Sequence, residues 1–369
     1  MPDELTNDAQ VVGLENVRFW GDDQPSNGRQ IVRKKVDQSI NARGHIWNPN
    51  RVIKANFLII TGGGPDGAFG AGLLNGMTDG GHRLDFEVVT GVSTGALIAP
   101  FAFLGPKYDD ALTSVYTTVS SKDIIRNRGP LAGLGGSSLG DSKPLQKLIA
   151  KHVTLEFLDE VASEYRSGRR LFIGTTNLDA QRPVIWNMGA IAEYRNEAAV
   201  ELFRKVLLAS ASIPALFPPV HFDVTAGEDD TSFQELHVDG GTTNNAFFLP
   251  LRVGLAPYLK KRGLRVKPTM YVIRNSSSSP LWEPVKEKTF PIAKRSISTL
   301  VKSSTTGDLY KLYTFSRLNN IGFKLISVPS DFNEKQNEAF DKEYMQKLYD
   351  IGYGLGRKGP KWESLPPGL

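Results

Sequence analysis

The sequence predicts an α/β fold, with a central, mostly parallel sheet covered by helices on both faces. Three observations predict it. Short apolar strands alternate with helical stretches from Asn56 onward. A Gly-x-Ser-x-Gly string, Gly91 to Gly95, lies between an apolar run and a helical one. A second glycine string, Gly62-Gly63-Gly64-Pro65-Asp66-Gly67, lies at another strand-to-helix junction.

The elements follow in order. Residues 1 to about 50 are polar and irregular, with isolated anchors Trp20, Ile46 and Trp47, and read as an arm packed over the main domain. Phe57 to Ile60 reads as a buried strand and Ala68 to Met77 as a helix. Glu87 to Thr90 is the next strand and Thr94 to Leu104 the next helix. Thr154 suits a helix N-cap, with Phe157, Leu158, Val161 and Tyr165 at helical spacing and Gly168 as the stop. Arg170 to Gly174 returns as a strand, Glu197 to Ala209 is helical, and Leu236 to Val238 and Thr269 to Ile273 are extended. Asn275 to Pro280 reads as a flexible turn. Beyond it come helical stretches at Ile292 to Leu318, broken near Gly307, and at Asn337 to Tyr353, flanking a strand from Lys324 to Val328. Gly129 to Ser138 is a Gly/Ser-rich connection and Gly227 to Thr231 an acidic loop, neither long enough for a domain linker. The organisation is therefore an N-terminal arm (1–50), a catalytic core (51–255), and C-terminal strands and helices (256–369) completing the same domain.

Composition narrows the classes. A length of 369 residues is ample for a substantial core. The net charge of +5 is a mild basic bias, compatible with an anionic membrane surface. The basic clusters Arg33-Lys34-Lys35 and Lys260-Lys261-Arg262 through Lys267 read as solvated surface. The absence of cysteine excludes disulfides, thiolate catalysis and Cys-ligated zinc. No apolar run approaches the ~18 residues of a membrane span. The acidic, polar N-terminus is no signal peptide. The sequence leaves the compartment open between the cytoplasm and, if an export signal has been removed, the periplasm or a membrane periphery.

The Gly62 to Gly67 string satisfies Gly-x-Gly-x-x-Gly, which also marks dinucleotide sites. That reading expects an acid at the end of the second strand, where this chain has Thr90-Gly91-Val92-Ser93. Asp85 and Glu87 fall at that strand's start instead. No Gly-Lys-Ser/Thr follows, which excludes a Walker A loop. An oxyanion loop fits better, since successive glycines let backbone N–H groups converge on one oxygen.

Ser93 would stand at a helix N-terminus, where the dipole favours developing negative charge. Its base is the open question. The chain has five histidines, His45, His82, His152, His221 and His237, and none after His237, where a hydrolase triad would place one. His221 or His237 could serve only by an unusual route. The alternative base is Asp239 in Val238-Asp239-Gly240-Gly241, although such a string is also a common turn.

Taken in order, Gly62-Gly63-Gly64-x-x-Gly67, Gly91-x-Ser93-x-Gly95 and Asp239-Gly240-Gly241 resemble the patatin-like phospholipase family. Ser210 to Pro219 looks like the family's segment shortly before its catalytic Asp, and the resemblance covers about Asn56 to Leu251. It implies a three-layer α/β fold and a Ser-Asp dyad, with Ser93 as nucleophile and Asp239 as general base. It implies an oxyanion hole built from the N–H groups of the Gly62, Gly63 and Gly64 loop, with Gly67, Gly91, Gly95, Gly240 and Gly241 supporting the motifs. It further implies a lipid or other acyl-ester substrate, contact with a membrane surface, no cofactor and no nucleic acid. Some relatives use calcium, but no calcium-loop motif is present. The chain departs from the family at Asp66, where many members carry Arg or Lys. An acid there would repel a lipid phosphate and favour neutral esters. Phe217, Phe247 and Phe248 flank the Asp239 region and are candidates for an acyl-chain pocket, with core packing the alternative. Two other readings stay open: a Ser-His-Asp esterase, and a non-catalytic module binding lipid or nucleotide.

Overall fold

The structure, a computed structural model, describes residues 1–23, 37–38, 52–127, 138–248 and 265–369. Its strands are β1 (Gln10–Val11), β2 (Arg18–Trp20), β3 (Val52–Ile60), β4 (Val88–Val92), β5 (Arg126–Asn127), β6 (Gly140–Asp141), β7 (Arg170–Asn177), β8 (Arg182–Asn187), β9 (Val220–Ala226), β10 (Thr231–Asp239), β11 (Arg265–Ser277) and β12 (Gly322–Val328). The helices that position the site are α1 (Gly67–Asp79), α2 (Thr94–Leu104), α3 (Leu155–Arg166), α4 (Glu197–Ser210), α5 (Thr289–Leu318) and α6 (Lys342–Arg357).

Ten of the strands form one mixed sheet with a parallel centre. Its heart, in spatial order β7-β4-β3-β11-β12, is parallel throughout. β7 is buried along its whole length, its apolar run Leu171 to Ile173 followed by the buried polar residues Thr175, Thr176 and Asn177. Antiparallel strands extend the sheet beyond β7: β10, β9 and β1 in one path, β8 and β2 in another. Strands β5 and β6 pair separately.

One junction decides where the chemistry sits. β8 pairs with β7 from Phe172 to Asn177, so β4 and β10 must share the opposite edge. They abut end to end there, Val92 opposite Gly174 and Asp239 opposite Thr175. The residue after Val92 is Ser93, so serine and aspartate meet where two strands of opposite direction converge on one.

The C-terminal helix α6 lies against α1 with backbones in contact. A Cβ on Gly72 would fall 2.0 Å from the Tyr349 carbonyl oxygen, and one on Gly352 2.2 Å from that of Phe69. Only glycine permits this approach. The helix that begins at the glycine string is thereby held by the end of the chain.

Several sequence expectations are corrected. The described part of the N-terminal arm contributes strands β1 and β2 to the sheet rather than merely covering it. α5 runs unbroken through Gly307: one glycine in a helix costs about 1 kcal/mol, and burial of Leu309 and Leu312 on the next turn outweighs it. α6 starts at Lys342, not Asn337, because Asp341 caps it, accepting the Glu343 and Tyr344 N–H at 3.0 and 3.2 Å. Asn275 is no flexible turn but the buried end of β11. Ile46, Trp47, Arg33-Lys34-Lys35, Lys260-Lys261-Arg262, Leu251 and Gly129 to residue 137 lie outside the described residues. Among the described residues, no helix is long and apolar enough to cross a membrane.

Candidate active site

Ser93 follows β4 and caps α2 with φ +56° and ψ −128°. That left-handed backbone is strained for a non-glycine residue, and it survives only where the surroundings over-determine it. They do so here. The Ser93 N–H donates to Ser210 Oγ at 3.0 Å, and that hydroxyl donates onward to the Gly174 carbonyl at 2.7 Å. The Ser93 carbonyl accepts the Ala96 N–H at 2.9 Å. The motif glycines let the elbow close, since a Cβ on Gly95 would lie 2.2 Å from the Ile60 oxygen and one on Gly91 2.3 Å from the Gly95 oxygen.

Asp239, at the end of β10, accepts the Gly241 N–H at 2.8 Å, and the Ser93 side chain lies near enough to favour its carboxylate. Only 5% of either Ser93 or Asp239 is exposed. Burial penalises the carboxylate and pushes Asp239 up to about 7, with the Ser93 side chain and the Gly241 N–H only partly opposing it. Gly240 packs on β7, where a Cβ would meet the Gly174 oxygen at 2.4 Å.

The glycine string is held from below by a polar framework. Gly62 donates its N–H to Asn245 Oδ1 at 3.0 Å, so that group is already engaged and is not free for an oxyanion. This corrects the three-donor expectation. The N–H groups of Gly63 and Gly64 meet no acceptor among the described residues. Gly63 sits against β11, where a Cβ would fall 1.9 Å from the Asn275 oxygen, and Gly64 has φ +58°. Gly67 packs on the elbow, its Cβ position 2.1 Å from Thr94 Oγ1.

The supporting roles of three side chains, Ser210, Asn245 and Asn275, escaped the sequence reading. Ser210 lies in the stretch singled out before Asp239, but its role as a strut under Ser93 has no local signal. Asn245 also donates to Thr305 Oγ1 at 2.7 Å, and its N–H goes to Asp308 Oδ2 at 2.8 Å, both on α5. Asn275 donates to the Thr61 carbonyl at 2.9 Å and accepts the Gly70 N–H at 3.1 Å. Each contact spans a separation in sequence that no motif records.

Ser93 opens into an apolar cavity of about 40 Å³, lined by Leu97, Tyr116, Ile213, Phe217, Phe340 and Met345 among others. Of the three candidate phenylalanines, only Phe217 lines it. Phe247 packs with Phe172 and Ile185. Phe248 packs with Phe57 and Phe315, ring centroids 5.1 and 5.7 Å away. Those two are half-buried on an irregular segment after β10 and pack against small apolar clusters rather than on the cavity. Asp66 is likewise absent from the lining: its carboxylate accepts the Tyr344 hydroxyl at 2.7 Å, and burial pushes it up to about 6. The expected repulsion of a lipid phosphate therefore lacks its geometry.

His221 and His237, the two histidines weighed as a base, are engaged elsewhere or exposed. His221 is exposed. His237 is fully buried, with Nδ1 on Thr175 Oγ1 at 2.9 Å and Nε2 on Glu235 at 3.0 Å, and Glu235 in turn pairs with Arg18. Both ring nitrogens are engaged away from Ser93, and desolvation lowers the ring's pKa. Among the described residues, no three carboxylate or imidazole groups gather as metal ligands.

The family model for patatin-like phospholipase matches residues 58–252, which span the glycine string, the elbow and Asp239. The chain belongs to this family. Among solved structures of similar fold are VipD from Legionella pneumophila, at 12% identity and TM-score 0.36, and human GIVD cytosolic phospholipase A2, at 11% and 0.37. A third is ExoU of Pseudomonas aeruginosa, solved in complex with SpcU, at 13% and 0.25. The matches cover 82%, 88% and 85% of this chain, but 66%, 54% and 54% of theirs. A search of curated proteins gives no match.

Proposed function

We propose that this patatin-like protein is a serine acyl hydrolase that cleaves carboxylic ester bonds of lipids. Ser93 Oγ attacks the ester carbonyl carbon as Asp239 takes its proton, and the oxyanion forms toward the Gly63 and Gly64 N–H groups. Collapse expels the alcohol, which recovers the proton from Asp239. Water, deprotonated by Asp239, then attacks the acyl-serine, and collapse releases the fatty acid as Asp239 returns the proton to Ser93 Oγ. The apolar cavity beside Ser93 suits an acyl chain rather than a sugar or peptide.

The observation that carries this reading is the buried Asp239 carboxyl, brought beside Ser93 where β4 and β10 meet on β7 and raised to about 7. An ordinary carboxylate is a poor base toward a hydroxyl, whereas one near 7 is matched to the working pH. The test is labelling by a fluorophosphonate with mass-spectrometric mapping of the adduct. The expected adduct is on Ser93, absent in Ser93→Ala and formed about 10²-fold more slowly in Asp239→Asn. A wild-type protein unlabelled at Ser93 would instead be a binding module.

A further inference from the structure

α5 is 30 residues long, but only its second half has a core to lie on. Thr305, Asp308, Leu309, Leu312 and Ser316 are buried. In the first half, Ile292 is 49% and Leu300 69% exposed, eight residues apart and so on one stripe of the helix. The segment leading into the helix adds Leu281 at 63%, Trp282 at 86% and Val285 at 40%. Single exposed apolar residues need no explanation, but a cluster of this kind marks an interaction surface.

The leading segment is fastened beside the helix. Arg295 donates to the Leu281 carbonyl and pairs with Glu283 at 3.2 Å, while Lys302 donates to the Ser279 carbonyl. Trp282 is thus presented from a tied strap. Lys286, Lys288 and Lys294 are exposed between these apolar groups, and none has an acidic partner among the described residues. Glu283 is taken by Arg295, which leaves Glu287 as the other acid of the stretch.

Tryptophan beside lysine suits a lipid headgroup region, where the ring sits at the interface and the ammonium groups meet anionic lipid. The position suits it too. Where α5 leaves the core, Thr305 accepts from Asn245, which holds the Gly62 N–H, so the exposed half begins one side chain from the glycine string. We propose that residues 279–288 and the first half of α5 form a docking surface for anionic lipid membranes. The choice of a lipid surface rests on the lipid-hydrolase reading, but its test does not.

The test is co-sedimentation of the full chain with phosphatidylcholine vesicles, with and without phosphatidylglycerol. Wild type and Ser93→Ala are expected to bind the anionic vesicles, less so at high salt. The double variant Leu281→Ser/Trp282→Ser and the triple variant Lys286→Glu/Lys288→Glu/Lys294→Glu are each expected to bind tenfold or more weakly. All these side chains are exposed, so both variants keep the wild-type melting temperature and the wild-type rate on a dispersed short-chain ester. Variants that sediment as wild type, or a wild type that ignores anionic vesicles, overturn the proposal. So does a dimer in sedimentation velocity that Leu281→Ser/Trp282→Ser dissolves without loss of vesicle binding, since the surface then serves a second copy of the chain. Vesicle binding without any ester hydrolysis would sink the hydrolase reading alone, and hydrolysis without vesicle binding would sink the docking surface alone.

Discussion

In the proposed mechanism, burial gives Asp239 the basicity that other serine hydrolases take from histidine. Its carboxyl, held near 7 rather than at the ordinary 3.8, must lose its proton before it can act as base. The kcat/KM for a soluble ester should therefore rise tenfold per unit below about pH 7 and level off above it. Asp239→Asn should flatten that profile as well as lower it. A profile governed by a histidine would survive Asp239→Asn in shape and vanish with His237→Gln. The glycines divide similarly. Gly63→Ala forces a methyl into the Asn275 carbonyl and should lower both melting temperature and turnover. Gly64→Ala meets open space and suffers only its positive φ, a cost of about 1 kcal/mol, so its effect should fall mainly on turnover. Equal thermal losses in the two would contradict this assignment. The sequence made Ser93, Asp239 and these glycines legible because each motif is local. It could not reveal that Gly62 gives its N–H to Asn245, a partner 183 residues away.

At the scale of elements, the turn before α6 enters the chemistry. Phe340 precedes the Asp341 cap, carries φ +59°, and its ring centroid lies 6.5 Å from that of Phe217 across the cavity. Phe340 and Met345 lie outside the family-matched residues, yet both wall the cavity. With about 40 Å³ of free volume, the cavity takes a short acyl group as it stands, and a long chain would press on this wall. Phe340→Ala should raise the rate on long-chain esters relative to butyryl esters severalfold, while Phe248→Ala should lower stability and leave that ratio alone. A chain-length profile that Phe340→Ala leaves unchanged would place the acyl chain elsewhere. α6 itself was legible as a helix from its periodicity. Its place on α1 was not, because glycines that admit a neighbouring backbone look in sequence like glycines that weaken a helix.

At the scale of the whole molecule, the site costs stability. A carboxyl raised in the folded state binds its proton more tightly there than in the unfolded chain. Folding stability must then fall as pH rises from about 4 to about 7 for Asp239, and from about 4 to about 6 for Asp66. Above pH 7 the Asp239 penalty is fully present, on the order of a few kcal/mol. Asp239→Asn should melt higher than wild type at pH 8, with the gap closing toward pH 4. Since other groups contribute slopes of their own, the difference between the two proteins is the readout. A variant that melts lower at pH 8 would mean that the ionised carboxylate is stabilising after all.

The sequence by itself determined the fold class, the order of the central strands and helices, the elbow serine, and the aspartate that ends β10. Those features are written in short windows: hydrophobic period, turn glycines, and a nucleophile between them. Only the tertiary structure decided that Asp66 turns to Tyr344, that Phe247 and Phe248 join the core, and that His237 is locked to Glu235 and Thr175. Side-chain direction and pKa depend on what lies across the sheet, and that is set by contacts between residues far apart in the chain. The meeting of Ser93 and Asp239 belongs to both levels. Each residue is marked by its own motif, but their contact exists because β4 and β10 share one edge of β7.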